Sequence, residues 1–181
     1  MTGRRQGAGL AMMAAVALLG FSGGQASAQQ IVERFPSSGS APAGIVERVR
    51  VPPGAETLIL SGQTASRADA PDRPVSVDLP PAALGDTKTQ TINILNKIRA
   101  ALGRRGYALA DVVKLTVYLV GDPANGGRTD YAGMNERYRQ FFGTSENPNL
   151  AALATVQVVA LAEPAFLVEI EATAVRMPAK R

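Results

Sequence analysis

Residues 166–175 show the clearest pattern in the chain, in which every second position is apolar and most of the positions between them are polar. The apolar positions are Phe166, Val168, Ile170, Ala172 and Ala174. Leu167, Glu169, Glu171, Thr173 and Val175 fall between them. Because successive side chains of a strand point to opposite faces, this pattern predicts a strand with one face toward a core. Its other face presents the carboxylates of Glu169 and Glu171.

A second apolar run, rich in β-branched residues, precedes this strand at residues 152–161. The segment Ala162-Glu163-Pro164 separates the two runs, and such a turn signal predicts a β-hairpin. In the register that this hairpin favours, Thr155 and Gln157 lie beside the two glutamates, whereas Val156 and Val158 face the core.

Two helices and three further strands complete the predicted fold. Asp86 or Thr87 can cap a helix that runs to about Leu102, and the apolar spacing of residues 129–142 indicates a second helix. Residues 45–51, 57–63 and 112–120 have the composition of strands. The order β-β-α-β-α-β-β predicts one α+β domain over residues 45–178, with both helices on one face of a mixed sheet.

The other face of that sheet would combine polar and apolar side chains. Its predicted polar members are Lys114, Thr116, Tyr118, Thr155, Gln157, Glu169 and Glu171. Val159, Leu167 and Val175 are its predicted apolar members. This mixture is too apolar for solvent and too polar for a core, so we expect the face to be covered by self-association.

The first 28 residues have the pattern of a secretory signal peptide. Arg4 and Arg5 precede an apolar run at residues 10–21, and Ala26-Ser27-Ala28 matches a cleavage site. The run is short for a membrane span, although an uncleaved anchor is the alternative. We therefore expect a periplasmic or secreted protein, free of the membrane after cleavage, with a flexible lead-in over residues 29–44.

Composition excludes several kinds of chemistry. The chain has no Cys and no His, which excludes a thiol nucleophile, a disulfide framework, a Cys/His zinc site and any Ser-His pair. We predict no metal site and no cofactor. Removal of Arg4 and Arg5 lowers the formal charge from +4 to +2, which is small for a nucleic-acid partner, and none is expected.

Four stretches in order resemble the Rid family of reactive-intermediate deaminases, also called the YjgF family. They are Leu60-Ser61-Gly62-Gln63, residues 111–119 (DVVKLTVYL), residues 134–142 (MNERYRQFF), and Thr155-Val156-Gln157-Val158 with residues 168–172 (VEIEA). The resemblance implies a chorismate-mutase-like fold and a homotrimer with small-molecule clefts between subunits. The best-known members hydrolyse enamine or imine intermediates, such as 2-aminoacrylate, to 2-oxo acids and ammonia.

The chain departs from the family pattern at the residue that grips the substrate carboxylate. Active deaminases have a Pro-Ala-Arg-Ser-type motif where this chain reads Ala151-Ala152-Leu153-Ala154. Leu153 therefore occupies the Arg position, and an aliphatic side chain cannot replace a bidentate donor. The family's N-terminal Gly-Pro-Tyr segment also has no counterpart. A standard 2-aminoacrylate deaminase activity is not expected.

The resemblance places Glu169 in the cleft, where a carboxylate can position or activate a water molecule. The alternative is a structural carboxylate paired with Lys114 or with an Arg across a subunit interface. For Ser61 and Gly62 the choice lies between close approach to a ligand and a simple bulge or turn.

Four further residues each have a functional and a structural interpretation. Asn135 and Tyr118 are either substrate-binding or packed structural residues. Arg67 and Arg73, in the polar loop over residues 66–81, can supply a new cation or remain solvated.

Together with the leader pattern, the resemblance implies an exported Rid-like homotrimer that binds a small molecule between subunits. If it is an enzyme, it hydrolyses an imine, enamine or related C–N bond, and Glu169 positions or activates the water molecule. One alternative is a non-catalytic ligand-binding or chaperone-like trimer. The other, an endoribonuclease, reflects older descriptions of the family.

Overall fold

The computed structural model describes residues 31–36, 44–67 and 79–178. The strands are β1 (Glu33–Pro36), β2 (Val46–Arg50), β3 (Glu56–Thr64), β4 (Val112–Leu119), β5 (Ala152–Gln157) and β6 (Val168–Arg176). The α-helices are α1 (Thr87–Gly103) and α2 (Tyr131–Tyr138). Short 3-10 turns lie at Pro81–Leu84, Leu109–Asp111 and Pro123–Asn125. The predicted α+β class, with a mixed sheet and two helices, is confirmed.

The main sheet has the strand order β3-β6-β4-β5. Strand β4 pairs with β5 in parallel and with β6 antiparallel, and β3 pairs with β6 antiparallel. The predicted hairpin between the two C-terminal strands is therefore wrong, because β4 lies between them. Thr116 of β4 is in register with Ala154 on one side and Glu171 on the other, so the connection after β5 must cross β4.

This topology reverses the predicted orientation of β5. Thr155 is in register with the buried Val117, which places Thr155 on the helix-facing side. Val156 is in register with Tyr118 on the opposite face and is 42% exposed. The alternation along β5 is present as predicted, but which face Thr155 and Val156 point to depends on the pairing of β5 with its neighbouring strand.

The hydrophobic core lies between the sheet and the two helices. Helix α1 begins at its N-cap Asp86, whose carboxylate accepts from the Thr89 backbone N–H at 2.8 Å. The core cluster includes Ile94, Leu95, Ile98 and Leu102 of α1 together with Val168, Ile170, Ala172 and Ala174 of β6. These eight positions agree with the predicted apolar faces of the helix and strand.

Helix α2 is shorter than predicted and ends at Tyr138 rather than near Phe142. Its exit tightens into bonds of 3-10 type, including Phe141 N–H to the Tyr138 carbonyl at 3.0 Å. Phe141 and Phe142 remain buried after this turn. The apolar pattern over 129–142 therefore reported burial correctly but not the end of the helix.

The segment before β3 differs from the prediction in two ways. Residues 33–36, expected within a flexible lead-in, form strand β1, and β1 pairs with β2 in a separate two-stranded sheet. The Arg34 guanidinium fixes this sheet by donating to the backbone carbonyls of Leu150, Ala110 and Val112 at 2.9–3.3 Å. These contacts are distant in sequence, so composition alone did not indicate them.

The predicted signal peptide over residues 1–28 lies outside the described residues. Arg73 and most of the loop around it also lie outside them. Within the described ranges, no helix has both the length and the apolarity that a membrane span requires.

Candidate functional site

Strand β3 contains a β-bulge at Ser61 and Gly62. Leu60 pairs with Ala172 and Gln63 pairs with Ile170, so two residues of β3 oppose the single residue Glu171. Bulges of this kind re-aim side chains and interrupt strand pairing, and they are frequent beside active sites. The bulge interpretation of Ser61-Gly62 is therefore correct, and it does not exclude a role in binding.

The Glu169 side chain lies directly against the backbone of Gly62. A Cβ atom placed on Gly62 would be 2.7 Å from Cδ of Glu169 and would overlap its Oε1. Only a residue without a side chain allows the carboxylate to occupy this position. The structure thus brings together two residues that the sequence predicted as site residues.

The Glu169 carboxylate has no hydrogen bond or ion pair within the described part of the chain. Its backbone is in register with Thr64 of β3 and Tyr118 of β4, and the residue is half-buried. Lys114, the partner considered for a structural role of Glu169, is in register with Thr173 instead. It forms no ion pair with Glu169. Within one protomer the Glu169 carboxylate is therefore unpaired, and pairing with an Arg across a subunit interface stays a prediction.

Tyr118 lies on the same sheet face and is bound to the second glutamate. Its hydroxyl donates to the Glu171 carboxylate at 3.1 Å. This hydrogen bond raises the pKa of Tyr118 above its usual value, with smaller contributions from burial and from the charges of Glu171 and Glu169. Tyr118 therefore remains a neutral donor at physiological pH.

A shallow groove of about 320 Å³ adjoins the bulge on this open sheet face. Its side chains come from three strands and include Ile59, Ser61, Lys114, Thr116, Glu171 and Thr173. The groove combines a cation and a carboxylate with an aliphatic side chain that is 75% exposed, Ile59. It can accept a small polar molecule, but one protomer leaves it open.

Leu153 and Asn135 lie on the helix side of the sheet rather than on this open face. Leu153 is in register with Leu115 and packs against the core. The Asn135 amide donates to the Tyr131 carbonyl at 2.9 Å within its own helix. Within one protomer neither residue joins Glu169 and Gly62, so their role in a cleft between subunits stays a prediction.

Leu167 corrects the predicted composition of the open face. It was expected there beside Glu169, but its side chain is only 2% exposed and belongs to the core cluster. The residue precedes β6, where the backbone has not yet adopted the alternation of the strand. The exposed apolar contribution comes instead from Ile59 and Val156.

Sequence reasoning missed Lys97, which lies on α1 and reaches the end of β3. Its Nζ donates to the Thr64 carbonyl at 2.6 Å, and burial lowers its pKa. Asn93, one turn earlier, accepts from the Ser66 backbone N–H at 2.9 Å. Polar residues of a helix are ordinarily solvated, so no sequence signal marks these two contacts. They fix the strand that contains the bulge.

The described residues contain no cluster of acidic side chains that could hold a metal ion.

The fold and the site together define an α+β protein with an unpaired carboxylate beside a bulged glycine. Residues 40–176 match the sequence model of a family described as Endoribonuclease L-PSP. The chain belongs to this family, the Rid, YjgF or RutC family.

Relatives and solved structures agree with this membership. A RutC family protein of Haemophilus influenzae is 31% identical over 136 residues, which are 75% of this chain and 92% of that protein. Another from Pyrococcus horikoshii is 42% identical over 90 residues, and the match spans 50% of this chain and 63% of that protein's length.

Two structures illustrate the shared fold. The Rid family protein YyfB of Yersinia pestis has a TM-score of 0.60 at 28% identity, covering 79% of this chain and 97% of that one. Escherichia coli TdcF with bound serine has a TM-score of 0.51 at 27% identity, covering 82% and 99%.

Proposed function

We propose that this chain forms a homotrimer that hydrolyses a small imine, enamine or related C–N compound in clefts between subunits. The observation that supports the proposal is the position of Glu169. Its carboxylate is held against the Gly62 backbone, and no described cation neutralises it. A half-buried carboxylate without a partner at a strand bulge is suited to orient water.

Hydrolysis of an imine needs one group that acts first as a general base and then as a general acid. Glu169 accepts a proton from water as the water oxygen bonds to the imine carbon and the π electrons move to nitrogen. The nitrogen gains protons from the carboxylic acid and from solvent. The C–N bond then breaks, the hydroxyl proton leaves, and a carbonyl compound and ammonia form. Imine and water are therefore the only reactants consumed.

The trimer is proposed because the open sheet face carries apolar side chains that one protomer does not cover. Ile59 and Val156 are 75% and 42% exposed on this face, and Val159, just beyond β5, is fully exposed. Ile59 lines the groove together with Lys114, Thr116 and Glu171. Association through the face would bury the aliphatic groups and enclose the groove.

A second candidate is a ligand-binding protein without catalysis. Leu153, at the family's Arg position, packs against the core and offers no cation for a substrate carboxylate. The similarity of this chain to TdcF, which was solved with bound serine, is compatible with binding of a small amino acid or amino-acid-derived compound. This candidate keeps the cleft and loses the reaction.

The location is proposed to be periplasmic or secreted, on the basis of the basic, apolar and Ala-Ser-Ala order of residues 4–28. N-terminal sequencing of protein isolated from its native host tests this. Cleavage after Ala28 is expected, whereas a cytoplasmic chain that still begins at Met1 would contradict it.

A coupled assay that generates imines in situ tests the main proposal. Glu169→Gln should lower kcat about 10²- to 10⁴-fold, while Glu47→Gln, an exposed glutamate on β2, should leave it unchanged. Saturable binding without turnover would favour the second candidate. Cleavage of RNA that declines steeply with salt would instead favour the endoribonuclease.

A further inference from the structure

A second groove lies at the far end of the helix layer, away from the open sheet face. Its volume is about 500 Å³, which is in the range of small-molecule sites. The C-terminal turn of α1 forms one wall, and the loop that follows α2 forms another. The lining side chains used below are Arg99, Tyr107, Phe141, Glu146 and Asn147, together with Gly103.

The groove contains one charge of each sign. Arg99 and Glu146 both line it. Among the residues that the structure describes, neither side chain lies within salt-bridge distance of an opposite charge. The guanidinium of Arg99 lies over the Phe141 ring, 4.9 Å from its centroid. Its Nη1 donates a long hydrogen bond to Asn96 Oδ1 at 3.3 Å. Two opposite charges that do not pair with one another leave room for a ligand that carries both.

Asn147 adds an unpaired acceptor beside the negative wall. Its side chain is 7% exposed, and its Nδ2 donates to the Phe141 carbonyl at 2.8 Å. Its Oδ1 is buried and has no hydrogen-bond partner among the described residues. Buried acceptors without a partner are rare, because each loses the hydrogen bonds that water would provide. Glu146 and Asn147 are adjacent in sequence, and both line the groove.

The loop that carries these acceptors is held in one conformation. The Thr144 backbone N–H donates to the Asn147 carbonyl at 3.0 Å, and the Asn147 N–H donates to the Thr144 hydroxyl at 3.0 Å. On the opposite side, the Arg176 guanidinium supports the Tyr107 ring at 4.3 Å. Binding would therefore order only the exposed side chains of Arg99 and Glu146.

We propose that this groove binds a free α-amino acid with an apolar or aromatic side chain. Arg99 binds its carboxylate, and Glu146 binds its ammonium group. The side chain lies against Phe141 and Tyr107. The site belongs to the helix layer and does not depend on Glu169 or on the hydrolytic proposal.

Isothermal titration of the full chain with L-phenylalanine tests the proposal. Saturable binding is expected, and N-acetyl-L-phenylalanine and L-phenylalaninamide should each bind at least tenfold more weakly, because each lacks one charge. Arg99→Gln and Glu146→Gln should weaken binding at least tenfold. Arg104→Gln is the matched control, an exposed arginine at the end of the same helix that does not line the groove.

A steric variant tests the location without removing a charge. A Cβ atom on Gly103 meets nothing within 4 Å, and this glycine lines the groove. Gly103→Leu should therefore fold normally and abolish binding, whereas Gly103→Ala should bind nearly as well as the wild type. No binding by the wild type at 10 mM, about the weakest affinity worth measuring, would overturn the proposal. So would binding that survives Gly103→Leu, or binding that is lost only in Glu169→Gln.

Discussion

The Oε1 atom of Gln90 accepts a hydrogen bond from the backbone N–H of Leu167 at 2.9 Å. Gln90 lies in α1 and is fully buried, and Leu167 immediately precedes the strand that carries Glu169. The Nε2 atom of the same amide donates to the carbonyls of Ala165 and Gly85 at 2.9 and 3.1 Å. One side chain therefore joins the helix to the segment that enters β6.

Gln90→Leu should destabilise the protein by roughly 2–5 kcal/mol, because the change leaves a buried N–H and a buried C=O without partners. Urea unfolding followed by circular dichroism measures this difference. Asn96→Leu, at an exposed position of the same helix, should change the free energy of unfolding by about 0.5 kcal/mol or less. Equal stability of the Gln90 variant and the wild type would contradict the bridging role.

Gly62→Ala should impair the site far more than the fold. The added methyl group overlaps the end of the Glu169 side chain, which is flexible enough to move aside. We expect a loss of stability of about 1 kcal/mol or less, and a loss of ligand binding or turnover similar to that of Glu169→Ala. Combining the two changes should then have little further effect. An additive double variant would show that Gly62 acts independently of Glu169.

The residues of this site could be predicted from sequence, but their contact could not. Glu169 and Gly62 were identified by the motifs that contain them. Their contact arises from the bulge at residues 61–62, which is a property of the pairing between β3 and β6. Neither strand shows such an irregularity when considered alone.

Helix α1 and strand β6 were predicted well because their signals are local. Asp86 caps the helix where it was expected, and the alternation of β6 agrees with its burial from Val168 to Ala174, whereas Val175, predicted on the open face, is buried. Strand β5 was assigned the wrong neighbour, because the preceding strand β4 competes for the same place and a turn signal cannot exclude it. The Gln90 bridge joins residues 77 positions apart, and nothing local marks it.

Formation of the proposed trimer should depend on the exposed aliphatic residues of the open face. Ile59→Asp and Val156→Asp should each shift the protein toward monomers, because a carboxylate would have to lose its hydration in the interface. Multi-angle light scattering over a range of concentrations measures the mass. Val51→Asp, at an exposed valine outside the main sheet, is the control. Leu167→Asp should instead unfold the protomer, since Leu167 is a core residue.

Wild-type turnover of 2-aminoacrylate-type imines should be slow, because Leu153 leaves the substrate carboxylate without a bidentate partner. A charge-assisted pair contributes about 1.5–3 kcal/mol, so its absence lowers catalytic efficiency roughly tenfold to a hundredfold or more. Leu153→Arg, with Ala151→Pro to rebuild the local turn, should recover part of this loss. The variant should also lose some stability, because Leu153 packs against the core.

Comparison of the wild type, Leu153→Arg and Leu153→Arg/Glu169→Ala in the coupled assay decides the outcome. Recovery in the first variant and its loss in the second are expected. High activity of the wild type would show that another group binds the carboxylate. Recovery that persists without Glu169 would remove the role assigned to that carboxylate.

The cap of α1 should make stability depend on acid pH. Hydrogen bonds from the Thr89 hydroxyl and backbone N–H, at 2.6 and 2.8 Å, lower the pKa of Asp86. A carboxyl group whose pKa is lower in the folded state stabilises the fold above its unfolded pKa, near 3.8. This stabilisation is lost as the pH falls through the folded pKa. Asp86→Ala should therefore destabilise the protein by about 1 kcal/mol at neutral pH.

The difference between Asp86→Ala and the wild type should become smaller below about pH 4, because the protonated cap loses its charge-assisted bonds. Urea unfolding from neutral pH down to about pH 2.5 measures it, and groups that titrate in both proteins cancel in the comparison. Asp86→Asn caps without titrating, so its stability relative to the wild type should rise as the pH falls. A difference between Ala and wild type that stays constant across this range would show that the Asp86 charge contributes nothing to the cap.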